Sequence, residues 1–405
     1  MSENHILSVT SSRSRSRTLL TWILGALSVF APFATDMYLS GFPLIAQDFN
    51  ADISQVQLSL STFFIGVAIG QLFYGPLIDR FGRRIPLLVG IALFIVSSLL
   101  ILYVPTIEGF IGLRFLQAVG GCSGMIISRA IIQDLYDEQE GAKALSLMMV
   151  VQSVGPITAP VIGAYLLVFD GWKAVFTFLV IFGLVCWVVT YKCIPESLPV
   201  EQRQKQNIAQ TLGVFGHFLK NWRFMAPTLA GAFANAVMFC FITGSPFVLM
   251  QLFGMERETY GWMFSATAAG MVVSSQANSM LLKRYTPQRL FTSSIIISLL
   301  AAAMLVLVRN TESIWLFMMP LFVCVSMVPM VCSNSIAIAM TNSGKDAGSA
   351  SSLVGVTQFA FAGAISAIVG ALHNGTSLPM CGMILVCTVL AFVINAFSPK
   401  HTVRV

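Results

Sequence analysis

Apolar runs of about 20 residues, each long enough to cross a hydrocarbon core of roughly 30 Å as a helix, recur from end to end of this 405-residue chain. Inside lipid a backbone must satisfy its polar groups within itself, so runs of this kind can only be helices. The pattern predicts spans at roughly Leu19–Phe42, Ser54–Leu77, Ile85–Val104, Gly109–Ile132, Lys143–Phe169, Trp172–Cys193, Trp222–Leu252, Tyr260–Leu282, Leu290–Val308, Ser313–Met340, Ser349–His373 and Leu378–Phe397. Only 10% of the residues are charged, against about 25% in an ordinary soluble protein, and no polar stretch is long enough for a separate soluble domain. The first run follows a basic, Ser-rich start. It is too long for a secretory signal, contains Pro32 and Asp36, and is followed by no small-residue cleavage site, so it is expected to stay as the first span.

The side of each loop follows from its charge. With the N-terminus inside, nineteen of the 23 Lys and Arg fall at cytoplasmic ends, among them Arg13, Arg15, Arg17, Lys205, Lys345, Lys400 and Arg404. Lys173, Arg257 and Arg309 fall outside, and Arg114 lies within a span. This bias predicts both termini in the cytoplasm, and it accounts for the net charge of +6 without nucleic acid. A polar stretch, Pro195–Asn221, divides the spans six and six, giving an N-terminal bundle over 1–194, a cytoplasmic linker over 195–221 and a C-terminal bundle over 222–405. Ala144, Ser146, Leu147, Val150 and Gln152 recur as Ala350, Ser352, Leu353, Val356 and Gln358, each displaced by 206 residues. The fifth span therefore answers the eleventh and the second the eighth. Because the displacement crosses an even number of spans, the copies share one orientation, the parallel repeat of transporters that rock two bundles about a central site. The expected fold is an all-α membrane protein of twelve helices in two six-helix bundles.

Asp36 in span 1 and Arg114 in span 4 are the ionisable side chains placed well inside the hydrocarbon, where a charge costs about 2.5 to 3.5 kcal/mol. Each is six residues from the outer end of its span, about 9 Å deep at 1.5 Å per residue. The two are expected to meet across a central cavity, either as a static ion pair or as a proton site. In apolar surroundings a carboxyl favours its neutral form and beside a cation its charged form, so opening and closing a cavity changes its hold on a proton. Pro32, four residues before Asp36, would bend the helix or free a carbonyl. Cavity candidates sharing the faces of the pair are Phe33, Met37, Tyr38 and Gln117, with Asn235, Phe239, Gln358 and Phe361 as counterparts in the second half.

Between spans 2 and 3 the sequence reads Gly75-Pro76-Leu77-Ile78-Asp79-Arg80-Phe81-Gly82-Arg83-Arg84. It resembles the G-x-x-x-D-R-x-G-R-R signature of the major facilitator superfamily, with Gly75, Asp79, Arg80, Gly82, Arg83 and Arg84 at the fixed positions. Gly82 permits a tight turn, and Asp79 with the arginines can bond to one another and to helix ends, a network able to latch the halves in one state and release them in the other. The segments Thr35–Leu39 with Phe42-Pro43, Arg114–Gly120, Arg129–Tyr136 and Gly155-Pro156-Ile157-Thr158-Ala159-Pro160 are similar to the Bcr/CflA branch of bacterial drug:proton antiporters.

That resemblance implies efflux of antibiotics and other small hydrophobic or cationic compounds in exchange for protons, with Asp36 and Arg114 as coupling residues. Gly155, Pro156 and Pro160 would belong to an antiporter motif that packs helices 5 and 8 closely. Ala159-Pro160 stands where a Gly-Gly pair is common, and Val151 replaces an upstream Gly. The alternative cargo is one endogenous metabolite or siderophore. The gradient replaces any cofactor, and the expected partners are small molecules, protons and lipid around a monomer. An enzyme is disfavoured by the lack of a His cluster, metal-ligand spacing, nucleophile elbow or P-loop. The eight scattered cysteines read as small core hydrophobes.

Overall fold

The computed structural model describes residues 18–203, 208–343 and 347–398. Arg13, Arg15, Arg17, Lys205, Lys345, Lys400 and Arg404 lie outside these residues. Helix α1 occupies Thr18–Asp48, α2 Ile53–Phe81, α3 Arg84–Ile101 and α4 Ile107–Leu135. The helix from Glu138 to Cys193 is two spans, α5 (138–169) and α6 (172–193), because Asp170 (φ −148°, ψ 37°) and Gly171 (φ 56°, ψ −149°) leave helical space. A short α7, Ile208–Lys220, precedes α8, Trp222–Ser245, which continues as a π-helical turn over Pro246–Leu252. Then follow α9 (Arg257–Leu281), α10 (Pro287–Leu307), α11 (Ile314–Met340), α12 (Ala347–Ala371) and α13 (Leu378–Ala396).

Among the described residues ten helices are long and apolar enough to cross a bilayer. One of the ten holds both α5 and α6, and α9 adds a 25-residue helix whose Ser, Thr and Asn side chains lower its hydropathy. The twelve expected spans are thus present. Their starts are fixed by polar caps. Asp52 and Gln55 form a reciprocal capping box at α2, the Thr106 hydroxyl accepts from Gly109 N at 3.2 Å at α4, and Asn221 accepts from Arg223 N at 3.1 Å at α8.

Lipid gives helices little hydrophobic reason to associate, so close packing over small residues does that work. A Cβ at Gly124 would stand 2.2 Å from the Leu27 carbonyl oxygen, and one at Gly163 2.0 Å from that of Met37, so α4 and α5 both lie against the backbone of α1. In the second bundle Gly231 holds α8 against Ser335 of α11, and Gly244 holds it against Met380 of α13. We call the end bearing Arg83 and the 194–221 segment the basic face, and the opposite end the far face.

Two features differ from the sequence reading. The first span does not end at Phe42. It breaks after Asp36, passes through a 3-10 turn at Leu39–Gly41 and resumes as Phe42–Asp48, because Pro43 sits at an N-terminal helical position where it needs no N–H. The linker, read from the sequence as a polar stretch, contains α7. Its Phe215 and Phe218 bury themselves against Phe224 and Met225 of α8 and Leu353 and Val354 of α12.

Candidate functional site: a carboxyl in a cavity between the bundles

The two bundles enclose a cavity of about 420 Å³ that is bridged by hydrogen bonds on its far side and extends toward the basic face between α5 and α9. On the far side Gln57 Nε2 of α2 donates to the Thr243 carbonyl of α8 at 3.0 Å, and the Ser61 hydroxyl reaches Ser366 of α12 at 3.0 Å, which in turn bonds Thr243 at 2.5 Å. Ser265 of α9 donates to the Ile157 carbonyl of α5 at 2.5 Å. Toward the basic face, Met149, Gln152, Ser153 and Pro156 of α5 and Ala268, Met271, Val272 and Ser275 of α9 line the cavity. Each set is spaced i, i+3, i+4, i+7, one stripe of a helix.

Asp36 is the sole ionisable side chain among the described residues that line this cavity. It closes the helical segment Phe30–Asp36 and is 4% exposed. The Thr35 hydroxyl lies 2.8 Å from Asp36 Oδ1, and also 3.0 and 3.1 Å from the Ala31 and Pro32 carbonyls. A hydroxyl can donate to a carboxylate or accept from a protonated acid, so this contact serves both protonation states. The surrounding wall is apolar and adaptable: Phe64 and Phe239 meet edge to face at 4.2 Å across the two bundles, flanked by Met125, Met238, Phe241, Phe264 and Phe359.

Arg114 does not meet Asp36. The ion pairs among the described residues are Arg83–Asp79, Arg83–Asp134 and Arg203–Glu196. Contacts of Leu27 with Gly124 and of Phe30 with Gly121 set Asp36 of α1 at nearly the level of Arg114 of α4, as expected from their depths, but Asp36 lines the cavity and Arg114 does not. Arg114 is fully buried in an aromatic box, its guanidinium carbon 4.2 Å from the Tyr38 ring centre, 4.5 Å from Phe63 and 5.7 Å from Phe176. It donates to Gln117 Oε1, and Gln117 Nε2 donates to the Ser98 hydroxyl at 2.7 Å. Its Nε and Nη2 have no hydrogen-bond partner.

The other cavity candidates divide in the same way. Phe239 lines the cavity. Phe33 instead packs on Phe182 and Phe178 of α6, at 5.3 and 6.3 Å between ring centres. Met37 lies under Gly163, Tyr38 bonds the Ser59 hydroxyl at 3.2 Å, and Gln117 serves Arg114. Asn235 faces Cys332 of α11, and Phe361 packs edge to face on Phe233 at 4.9 Å. Gln358 has a buried Nε2 without a partner and is not in the cavity wall. The residues missed, Met149 and Met271 above all, carried a readable signal in their 3-4-7 stripes.

The antiporter-like motif also divides. Gly155 seats α1, with Pro32 and Val29 side-chain atoms 3.2 to 3.6 Å from where its Cβ would be. Pro156 lines the cavity, and the Pro160 carbonyl meets Gly261 of α9. The approach of α5 and α9, the fifth and eighth spans, therefore involves Pro160, and Gly155 packs elsewhere.

At the basic face the Gly75–Arg84 segment, expected as a loop, is helical as far as Phe81 and turns at Gly82 and Arg83, and it is tied within its own bundle. Arg83 bonds Asp79 at 2.7 Å and Asp134 of α4 at 3.0 Å, and Arg84 donates to the Tyr191 carbonyl of α6 at 2.6 Å. Burial disfavours the Arg83 guanidinium, but the bonds and charges of Asp79 and Asp134 outweigh it and hold its pKa above the usual arginine value. Glu196, just past α6, accepts from Arg83 N at 2.8 Å and Arg84 N at 3.3 Å. Gly82, at φ 85°, makes the turn that aims both amides at it. Arg80 lies over the Phe81 ring at 5.3 Å, and a Cβ at Gly75 would meet nothing within 4 Å.

Comparisons with known proteins agree with this architecture. The model of the Major Facilitator Superfamily matches residues 24–367. An uncharacterized MFS-type transporter of Bacillus subtilis, YdgK, is 31% identical over 93% of this chain and 94% of its own length. The bicyclomycin resistance protein homolog of Haemophilus influenzae is 28% identical over 97% and 99% of the two chains, and the multidrug resistance protein MdtL of Shigella dysenteriae 27% over 92% and 93%. Among solved structures the nucleoside transporter NupG matches with a TM-score of 0.74 at 12% identity over 93% of this chain and 98% of that one. A D-xylose-proton symporter matches at 0.73 and 14% over 95% and 97%. At such identities the structures speak for the fold alone.

Proposed function

Because the chain belongs to the major facilitator superfamily, and is therefore a multi-pass membrane transporter of small molecules rather than an enzyme, we propose that it exports hydrophobic or cationic compounds in exchange for protons. The observation that carries this reading is a single carboxyl, Asp36, in a largely apolar and aromatic cavity between the bundles. The resistance names of two relatives point to drugs as cargo and to the Bcr/CflA branch. The basic face is the cytoplasmic one by its surplus of Lys and Arg, so the hydrogen bonds of the far face lie on the outer side of the cavity.

The coupling follows from competition. Proton and cationic cargo both seek the Asp36 carboxyl, and the Thr35 hydroxyl accommodates the acid or the carboxylate. Cargo arriving from the cytoplasm displaces the proton; after the bundles rock, a proton from outside displaces the cargo. Arg114 acts as a positioning residue. Its two unpartnered nitrogens, Nε and Nη2, are donors to which a turn of the break after Asp36 would bring the carboxylate once cargo has left. With one acid, exchange of one proton for one monovalent cation moves no net charge, whereas a neutral cargo gains about 2.3 kcal/mol per 100 mV.

The test is an oriented-vesicle assay with bicyclomycin and tetraphenylphosphonium as cargoes and a pH dye as readout. Asp36→Asn is expected to abolish cargo-induced proton movement while the protein stays folded. Undiminished movement in that variant removes Asp36 from the mechanism.

A further inference from the structure

An arginine enclosed in protein stays a cation, because its guanidinium does not give up its proton there. A buried charge is costly unless an opposite charge accompanies it. Arg114 has no exposed surface, and none of the ion pairs among the described residues includes it. Its contacts are neutral. Nη1 donates to Gln117 Oε1, and the rings of Tyr38, Phe63 and Phe176 enclose the guanidinium. Aromatic rings attract a cation but carry no net charge to balance it.

The part of Arg114 left without a partner is a particular one. The N–H groups of Nε and Nη2 point the same way along one edge of the guanidinium, the edge that takes an anion side-on through two bonds. Both nitrogens of that edge are buried and unpartnered. Ser40, two residues past Tyr38 in the Leu39–Gly41 turn, is a second wholly buried polar side chain without a partner. Phe63 covers the guanidinium at 4.5 Å and also lines the cavity between the bundles, so the thickness of one ring separates Arg114 from that cavity.

We propose that the Nε/Nη2 edge of Arg114 is a binding site for a small monovalent anion such as chloride, reached from the cavity past the Phe63 ring. One such ion balances the guanidinium and takes two charge-assisted bonds from the parallel N–H groups. Sulfate or phosphate fits worse. Each brings a second charge and further oxygens into a box whose walls are aromatic, where an unmatched polar group is costly. The anion and the Asp36 carboxylate would compete for the same edge. The ion therefore holds it while Asp36 faces the cavity, and leaves when the carboxylate turns to Arg114. This exchange rests on the exporter reading above, whereas the binding itself stands on the buried guanidinium and holds for any cargo.

The experiment uses the full chain, purified in dodecyl maltoside, with radioactive chloride as the probe and gluconate holding the ionic strength constant. A single saturable class of sites is expected, emptied by bromide and left filled by gluconate and sulfate. Arg114→Lys keeps the charge without the fork and should bind chloride roughly tenfold more weakly, and Arg114→Gln should lose the binding. The wild-type chain decides the matter if these variants do not fold. In crystals grown in sodium bromide, anomalous scattering is expected to place a bromide against Nε and Nη2. Absence of saturable chloride binding by the wild type, undiminished binding in Arg114→Gln, or bromide confined to the protein surface overturns the proposal. Cargo-driven proton movement, recorded with the same chain in vesicles, separates this site from the exporter reading. Saturable chloride binding without proton movement keeps the site and removes proton exchange, and proton movement without chloride binding does the reverse.

Discussion

Replacing Gly82 by Ala tests how the signature loop is built. Gly82 has φ 85° and ψ 176°, a region open in practice to glycine alone, and another residue held there is strained by about 1–3 kcal/mol. The added Cβ would stand 2.3 Å from Glu196 Oε2 and 2.8 Å from Arg203 Nη2. The Glu196 carboxylate must therefore move, and it accepts from Arg83 N at 2.8 Å and Leu198 N at 3.1 Å through its other oxygen. Losing one charge-assisted bond of this kind costs about 1.5–3 kcal/mol, so Gly82→Ala is expected to destabilise the chain by about 2.5–6 kcal/mol in total. In a Glu196→Ala background the obstruction is gone and only the backbone strain of about 1–3 kcal/mol remains. The two substitutions should thus show a coupling energy of about 1.5–3 kcal/mol. Unfolding in mixed SDS–detergent micelles, followed by the exposure of buried cysteines such as Cys122 and Cys240, measures all four corners of the cycle. Additive effects would refute the claim that Glu196 is the group against which Gly82 is fitted.

Further expectations concern helix contacts. Gly163→Leu should sharply reduce the yield of folded protein, because its side chain would enter the Met37 backbone, whereas Gly75→Ala, with nothing within 4 Å, should leave stability within about 0.5 kcal/mol. Size-exclusion profiles and melts check both, and a drop in export by a stable Gly75→Ala would locate its role in the opposite state. Ser366→Ala removes the hydroxyl that links Ser61 to Thr243 at the far face. At about 0.5–1.5 kcal/mol per bond it should raise labelling of a Gln57→Cys variant from outside roughly two- to tenfold; unchanged labelling would show that these hydroxyls do not hold the far side shut.

The helices were legible because bilayer thickness imposes a length on each apolar run, and the signature loop because Gly82 and its charges have no role in lipid packing. Asp36 was legible for the same reason: a carboxyl in an apolar span is costly enough to mark function. The orientation of Arg114 was not. Its depth is a property of α4 alone, but the side it faces depends on Tyr38, Phe63 and Phe176, which come from three other helices. The continuation of α1 to Asp48 was hidden because Phe42-Pro43 reads as an exit when the helix has already broken and restarted. Phe215 and Phe218, three residues apart, announced an amphipathic turn in the linker, but the charged residues before them masked it.

At the basic end Gly355 of α12 stands against Gln71 of α2, whereas Met149 of α5 and Met271 of α9 border the cavity, and the contact of α2 with α12 there has a mechanical consequence. Two bodies that stay in touch along one line and part along the opposite one turn about the line of contact, as a book turns about its spine. Displacement then grows with distance from that spine, so α5 and α9 travel farthest and the residues beside Gln71 and Gly355 least. Changes near the spine should alter the free energy of turning with little effect on what fits inside, and changes on the α5 and α9 stripes should alter the cargo with little effect on the turning itself.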